Sequence, residues 1–140
     1  MVALVLLACG DKEPWSSDTD VTTIDSQDTS VAICEIAVPS DARVVTGIEF
    51  NNDYQAAVIA CPGADLTNNG PEATIYVATG ALLRNYASSA MLYVEGGATV
   101  QNSTTDATIT YAATADIGAV ETYRTATECP GLLLTGSPCP

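Results

Sequence analysis

Two tyrosines 17 positions apart are the first residues whose type and spacing could bind a ligand. Tyr76 and Tyr93 each begin the same pattern, Tyr-Val-x-x-Gly-Ala. Aromatic rings exposed on a flat strand can hold a sugar ring or a partner protein. The predicted binding face adds three threonines from equivalent positions, Thr74, Thr108 and Thr110. The competing interpretation is that Thr and Tyr occur here only because they favour strands and stack well.

Two carboxylates raise the possibility of glycan cleavage, which needs a pair of acids about 5–10 Å apart. Asp65 and Asp116 occupy the same position of the repeat described below, three units apart. If the units stack at about 4.8 Å, the acids lie about 14 Å apart, which is too far. Arg43, Arg84 and Arg124 fall at different positions, so they are not expected to cluster with the two acids and are predicted to be solvated surface charges. We therefore expect no enzyme, and a polysaccharide-cleaving enzyme is the alternative.

The charge balance and the missing histidine exclude other classes of function. The 140 residues carry 17 Asp and Glu against four Lys and Arg, a formal net charge of −13, and no His. Nucleic acids and anionic lipid headgroups require a basic surface, so they are not expected partners. Catalytic triads and His-based metal sites are also excluded. No cofactor or metal site is predicted.

The first nine residues carry a possible export signal. An apolar run ends in Leu6-Leu7-Ala8-Cys9, directly before a polar segment. This resembles the lipobox of bacterial lipoproteins, in which the signal is cut before a cysteine that then carries lipid. The resemblance implies a signal peptide at residues 1–8, lipidation of Cys9 and a lipid-anchored place in the cell envelope, at the outer membrane or cell surface. No positive residue precedes Cys9, which departs from the usual signal.

The following segment, residues 9–30, is rich in Ser, Thr and Asp. It has too little apolar surface to offset the entropy of ordering, so it is predicted to be a disordered acidic linker. Residues 31–140 then form the predicted folded domain.

That domain repeats every 17 residues, over units 57–73, 74–90, 91–107 and 108–124, with a shorter unit before and a partial one after. A fixed period indicates a stack of similar units. Apolar residues alternate on two short segments of each unit, as in Val58 and Ala60 or Leu83 and Ala81, so both segments are predicted to be strands with these residues inward. Ile48 and Phe50 are predicted inward in the short first unit. Glycine at Gly63, Gly80 and Gly97 predicts a corner with positive φ.

A column of amides marks the end of the second strand in each unit. Amides stacked about 4.8 Å apart can hydrogen-bond to one another and to the adjacent turn. The predicted ladder comprises Asn52, Asn68, Asn85 and Asn102.

These columns resemble a short-coil parallel β-helix, the β-solenoid found in bacterial surface and secreted proteins. The resemblance covers roughly residues 41–135 and implies an all-β fold of about five to six coils, with a right-handed path as the expected hand. Two rungs of threonine, Thr108-x-Thr110 and Thr125-x-Thr127, also resemble the arrays of ice-binding solenoids, which is a minor alternative.

Stacking at about 4.8 Å restricts which disulfides the four cysteines Cys34, Cys61, Cys129 and Cys139 can form. Cys61 and Cys129 lie four coils apart, about 19 Å, whereas a disulfide needs Cα atoms within about 7 Å. Placing Cys139 near Cys129 also puts it too far from Cys61. The expected pairs are therefore Cys34–Cys61 and Cys129–Cys139, one at each end of the stack. The sequence as a whole predicts a lipid-anchored, non-enzymatic solenoid for adhesion, envelope structure or binding of a surface glycan or protein.

Overall fold

A computed structural model describes residues 34–140, so the predictions for Cys9, the signal peptide and the linker lie outside the described residues. Strands dominate this part of the chain, with one short 3-10 helix at Val120–Thr122. Sheet A contains β2 (Arg43–Val45), β4 (Ala57–Ala60), β6 (Thr74–Val77), β8 (Met91–Val94), β10 (Thr108–Tyr111) and β11 (Thr125–Glu128). Sheet B contains β3 (Ile48–Asn51), β5 (Asp65–Asn68), β7 (Leu82–Asn85) and β9 (Thr99–Asn102). A third, two-stranded sheet pairs β1 (Glu35–Ala37) with β12 (Leu133–Thr135).

The chain winds between sheets A and B as a parallel β-solenoid of about five turns. Thr74 pairs with Met91 in sheet A, and Leu82 pairs with Thr99 in sheet B, so the register between central rungs is the 17-residue period. All strand pairs within the described residues are parallel. The predicted all-β solenoid fold is confirmed.

The core between the two sheets follows from alternation along each strand. Leucine, isoleucine and valine at every second position face inward, because successive side chains of a strand point to opposite faces. The fully buried residues at these inward positions include Val58, Ile75, Leu92, Ile109, Leu66 and Leu83.

The two ends of sheet B turn by different means. At the end where the chain enters sheet B, Gly63, Gly80 and Gly97 have φ of 87°, 83° and 83°, as the glycine column predicted. At the corner that returns to sheet A, Gln55 and Glu72 adopt φ of 56° and 58° although they carry side chains. The sequence offered no signal for this second set, because residues of different types occupy the position.

The register predicted for the first coil is wrong by one residue in sheet B. Ile48 pairs with Asp65, so Glu49 stands in the inward column and Ile48 and Phe50 point outward, 81% and 59% exposed. The cause is the connection before β3, in which two residues (46–47) replace the four (61–64) of the next coil. A one-residue shift of register moves every side chain of a strand to the other face. Asn51, not Asn52, consequently heads the column of buried amides.

Charged residues close the first coil in place of apolar ones. Arg43 pairs with Val58, and its guanidinium donates to the Glu49 carboxylate at 2.9 Å and to the Phe50 carbonyl at 3.0 Å. Arg43 was predicted to be a solvated surface charge, but it crosses the end of the core instead. Inward-pointing charges of this kind prevent another strand from adding to an open edge.

The last coil is closed by an aromatic side chain. Tyr123 is 6% exposed and its hydroxyl donates to the Ile117 carbonyl at 2.7 Å. Burial, and secondly the negative charge of Asp116, raise the Tyr123 pKa to about 12. Sheet B ends two rungs before sheet A, because residues 117–124 leave the strand path after a single bridge between Thr99 and Asp116.

The predicted disulfide pairing is wrong. The pairs are Cys34–Cys129 and Cys61–Cys139, with Cα–Cα distances of 6.1 and 5.6 Å. The prediction assumed that the end segments stay near their own ends of the stack. Ten extended residues after Cys129 can span about 33 Å, well beyond the four rungs that separate it from Cys61. Both end segments therefore run along the whole stack and are bonded at its far side.

We call these segments the straps: the N-terminal strap is residues 34–42 and the C-terminal strap is residues 130–139. They pair through β1 and β12, and the Val38 amide donates to the Thr135 carbonyl at 2.9 Å. Together they lie along the outer face of sheet A, where they build a second hydrophobic cluster.

Candidate functional site

The predicted tyrosine face of sheet A is covered by the straps. Tyr76 is 7% exposed and belongs to a cluster with Val38, Leu132 and Leu134. Burial, and secondly Tyr93, raise the Tyr76 pKa. The two rings stack with centroids 5.5 Å apart and planes 16° from parallel. Their stacking was expected, but the prediction of an exposed binding face at this site is contradicted.

The other residues assigned to that face are also enclosed in part. Thr74, Thr108, Thr110 and Tyr93 are half-buried. The Glu95 carboxylate accepts hydrogen bonds from the backbone amide of Leu134 at 2.8 Å and from that of Thr79 at 3.0 Å. It thus fastens the C-terminal strap to sheet A.

No strap formed by the described residues 34–140 covers the outer face of sheet B. Alternation places three columns on this surface, which we call the sheet-B face: Ile48, Asp65, Leu82, Thr99; Phe50, Thr67, Arg84, Gln101; and Asn52, Asn69, Tyr86, Ser103. The third column lies just beyond the strands, and its place is supported by ladder bonds such as that from the Tyr86 amide to the Asn68 carbonyl at 2.9 Å. The sheet-B face is therefore the exposed strand surface of the solenoid body.

Large apolar and aromatic groups on the sheet-B face are exposed. Ile48, Phe50 and Tyr86 have 81%, 59% and 54% of their surface accessible. Phe50 and Tyr86 lie in neighbouring columns, two rungs apart. The sequence signal was available in the alternation of residues 82–86, but the expectation that Phe50 faced the core concealed it.

The charges on the sheet-B face are paired. The Arg84 guanidinium forms an ion pair with the Asp65 carboxylate on the preceding rung, so the prediction that Arg84 does not cluster with this acid is wrong. Asp116 lies at the far end of the same column as Asp65, with Leu82 and Thr99 between them. The two carboxylates predicted to be too far apart for joint catalysis are thus three rungs apart.

The amides behind this face form a buried hydrogen-bonded column. Asn51 donates to Asn68 at 2.7 Å, Asn68 to Asn85 at 2.8 Å, and Asn85 to Asn102 at 2.9 Å. The first three are fully buried. Asn52, which the sequence assigned to this ladder, lies outside it. Its side-chain oxygen accepts a hydrogen bond from the side-chain amide of Asn69 at 3.1 Å. The column also bonds to the backbone of the corner, because the Asn68 side-chain oxygen accepts a hydrogen bond from the Gly70 amide. These amides therefore have a structural role.

A groove of about 280 Å³ lies where sheet B stops, between β9 and the irregular segment at Asp116–Ala119. Apolar Val100 and Ile117 line it together with the polar Gln101 and Thr122. Within the described residues 34–140, no group of three or more Cys, Asp or Glu is placed to hold a metal ion. Over the same range, no helix is long and apolar enough to cross a membrane.

Comparison with known proteins gives no relative for this chain: no family model, curated protein or solved structure matches it.

Proposed function

We propose that this chain is a non-enzymatic ligand-binding module, held at the bacterial cell envelope by lipid on Cys9. The observation that carries the proposal is the contrast between the two outer faces. The chain covers the apolar face of sheet A with its own straps, yet leaves Ile48, Phe50 and Tyr86 exposed on sheet B. Exposed apolar groups on an otherwise well-sealed domain are typical of an interaction surface.

The anchoring part of the proposal is supported by sequence and by disulfides. Leu6-Leu7-Ala8-Cys9 has the order of a lipobox. Two disulfides are expected in an exported protein, because the periplasm and cell surface are oxidising. Cys34, at the N-terminal end of the described residues, is bonded to Cys129 on the last rung of sheet A. The first rung, with Ile48 and Phe50, is at the other end of the stack.

The anchor is tested by expressing the full chain in a bacterium that lipidates exported proteins. We expect the mature N-terminus to be Cys9 with a mass increase equal to its acyl groups, and Cys9→Ser to abolish that increase. An unmodified Cys9 would remove the anchor from the proposal.

The binding role is tested with the full chain carrying Cys9→Ser, which has no lipid to insert into membranes, and with isolated bacterial envelopes. Phe50→Asp combined with Tyr86→Asp should abolish sedimentation with the envelopes. The matched control, Tyr54→Asp with Leu133→Asp, changes two residues that are 61% and 49% exposed but lie outside the sheet-B face, and it should bind normally. Equal binding by the face variant and the control variant would contradict the role of this face. Glycan turnover by the purified protein would contradict the proposal that the chain is not an enzyme.

A further inference from the structure

We infer that the sheet-B face binds a neutral polysaccharide chain lying along the solenoid axis. The inference rests on the proposed function and names the class of its ligand. Three properties of the face support it: the placement of its aromatic rings, its amides and hydroxyls, and the pairing of Arg84 with Asp65.

The aromatic rings are placed to contact separate sugars of one chain. Phe50 and Tyr86 belong to adjacent columns two rungs apart, which corresponds to about 10 Å along the axis. The C–H face of a pyranose ring stacks on an aromatic ring, and a rung is close to the length of one sugar in an extended chain. Two aromatics at this separation can therefore contact alternate sugars of a polysaccharide.

Polar groups that suit hydroxyls surround these rings. Thr67 lies between Phe50 and Arg84 in one column, and Gln101 follows Arg84 on the last rung. The outer amides of Asn52 and Asn69 form one hydrogen bond with each other. Since an amide offers two donor hydrogens and an acceptor oxygen, both retain bonding capacity for a ligand.

The charge of the face selects a neutral ligand over an acidic one. Arg84, the cation of these columns, is already paired with Asp65. The whole chain carries a formal charge of −13, so an anionic polysaccharide would be repelled. A protein partner would find few apolar groups beyond Ile48, Phe50 and Leu82, whereas the mixture of amides, hydroxyls and separated rings suits a sugar chain.

The test uses the detergent-solubilised full chain and a panel of polysaccharides: insoluble cellulose and chitin, soluble neutral glucans and mannans, and the acidic alginate and pectate. We expect binding to at least one neutral polymer and none to the acidic ones. Phe50→Ala and Tyr86→Ala should each weaken that binding at least tenfold. Tyr54→Ala and Leu133→Ala, which remove exposed groups elsewhere, should leave it unchanged.

The outcomes separate this inference from the proposed function. If the face variants lose binding to envelopes but the protein binds no neutral polymer, or binds acidic ones better, the ligand class is wrong and the binding face stands. If a neutral polymer binds but the Phe50 and Tyr86 variants bind it as well as the controls do, the assigned site is wrong. Thermal unfolding of each variant, expected to be unchanged, shows that any loss of binding is not a loss of fold.

Discussion

The outer faces of sheets A and B are built on the same rungs but meet different surroundings. Sheet A presents Ile59, Tyr76 and Ala112 outward, and the straps bury them. Sheet B presents Thr67, Arg84 and Gln101 at comparable positions, where Thr67 and Arg84 are half-buried and Gln101 is exposed. Among the described residues, the solenoid therefore has one outer face that the straps cover and one that they leave open. Where the outward positions of a strand are mainly apolar, they indicate that another segment of the chain packs over them rather than that they bind a ligand.

The covering of sheet A also explains the cysteines. A domain of this size buries a limited fraction of its surface, and the straps add a second cluster to the core between the sheets. Short strands such as β1 and β12 contribute little alone. Disulfides at both ends of the straps hold them along the full length of the stack.

Removing both disulfides should have the largest effect and should act on sheet A. The bonds join residues 95 and 78 positions apart, and a crosslink closing so long a loop contributes about 4 kcal/mol. Replacing all four cysteines by serine should lower the free energy of unfolding by at least that amount, measured by urea denaturation. Tyrosine fluorescence quenching should show newly accessible rings under the straps.

Peptide mapping without reduction provides the direct check of this arrangement. Cys34 should be recovered with Cys129, and Cys61 with Cys139. Recovery of Cys34 with Cys61 would mean that the straps do not run along sheet A, and the contrast between the faces would lose its basis.

Truncating one tyrosine on each face should give unequal losses of stability. Tyr76→Ala removes a ring buried between sheet A and the straps, at a cost of about 3 kcal/mol. Tyr86→Ala removes an exposed ring and should change the free energy of unfolding by less than about 0.5 kcal/mol. Similar values from urea denaturation would contradict the assignment of one face to structure and the other to binding.

Substitutions of two asparagines compare the buried side of sheet B with its exposed side. Asn68→Ala leaves the Asn51 and Asn85 amides and the Gly70 amide without their partner in a buried column, which should cost about 2 kcal/mol. Asn52→Ala removes one exposed hydrogen bond and should cost less than about 0.5 kcal/mol. The ratio of the two losses in free energy of unfolding, measured by thermal unfolding, tests the first-coil register. A large loss for Asn52→Ala would support the register predicted from sequence.

Much of the fold could be predicted from sequence because it repeats. The 17-residue period fixes the neighbours of Ile75 and Leu83 on both sides, and the column of glycines marks a corner where φ must be positive. Each coil provides the same information, so an error in one does not spread to the others. The first coil failed because it is shortened at 46–47 and has only one neighbour to fix its register.

The covering of the tyrosine face and the disulfide pairing could not be predicted because they depend on segments outside the repeat, whereas the sheet-B face was missed because of the error in the first-coil register. Nothing in the spacing of Cys129 and Cys139 shows that the chain between them is extended along sheet A. From the repeat alone, without the straps, Tyr76 and Tyr93 are expected to be exposed. The apolar character of their neighbours Ile59, Ala78 and Ala112 was the available signal, since such residues are usually buried.

The smallest predicted effect concerns pH and the end of the stack where sheet B stops early. Tyr123 has a pKa raised to about 12, whereas a tyrosine in the unfolded chain titrates near its ordinary value of 10. Between these values the unfolded chain loses the proton first, so the stabilisation is complete below pH 10 and is lost as the pH rises towards 12. The loss should be on the order of 1 kcal/mol, because water near the end of the stack screens part of the interaction.

The matched control for this titration is Tyr123→Phe, which keeps the ring over the core but has no proton to lose. Its free energy of unfolding should be about 1 kcal/mol lower than that of the parent at pH 7, because the bond to the Ile117 carbonyl is missing. The difference between the two proteins should then shrink between pH 10 and 12, measured by urea denaturation at each pH. A constant difference across that range would show that Tyr123 is hydrated, and that the last coil is less well closed than the first.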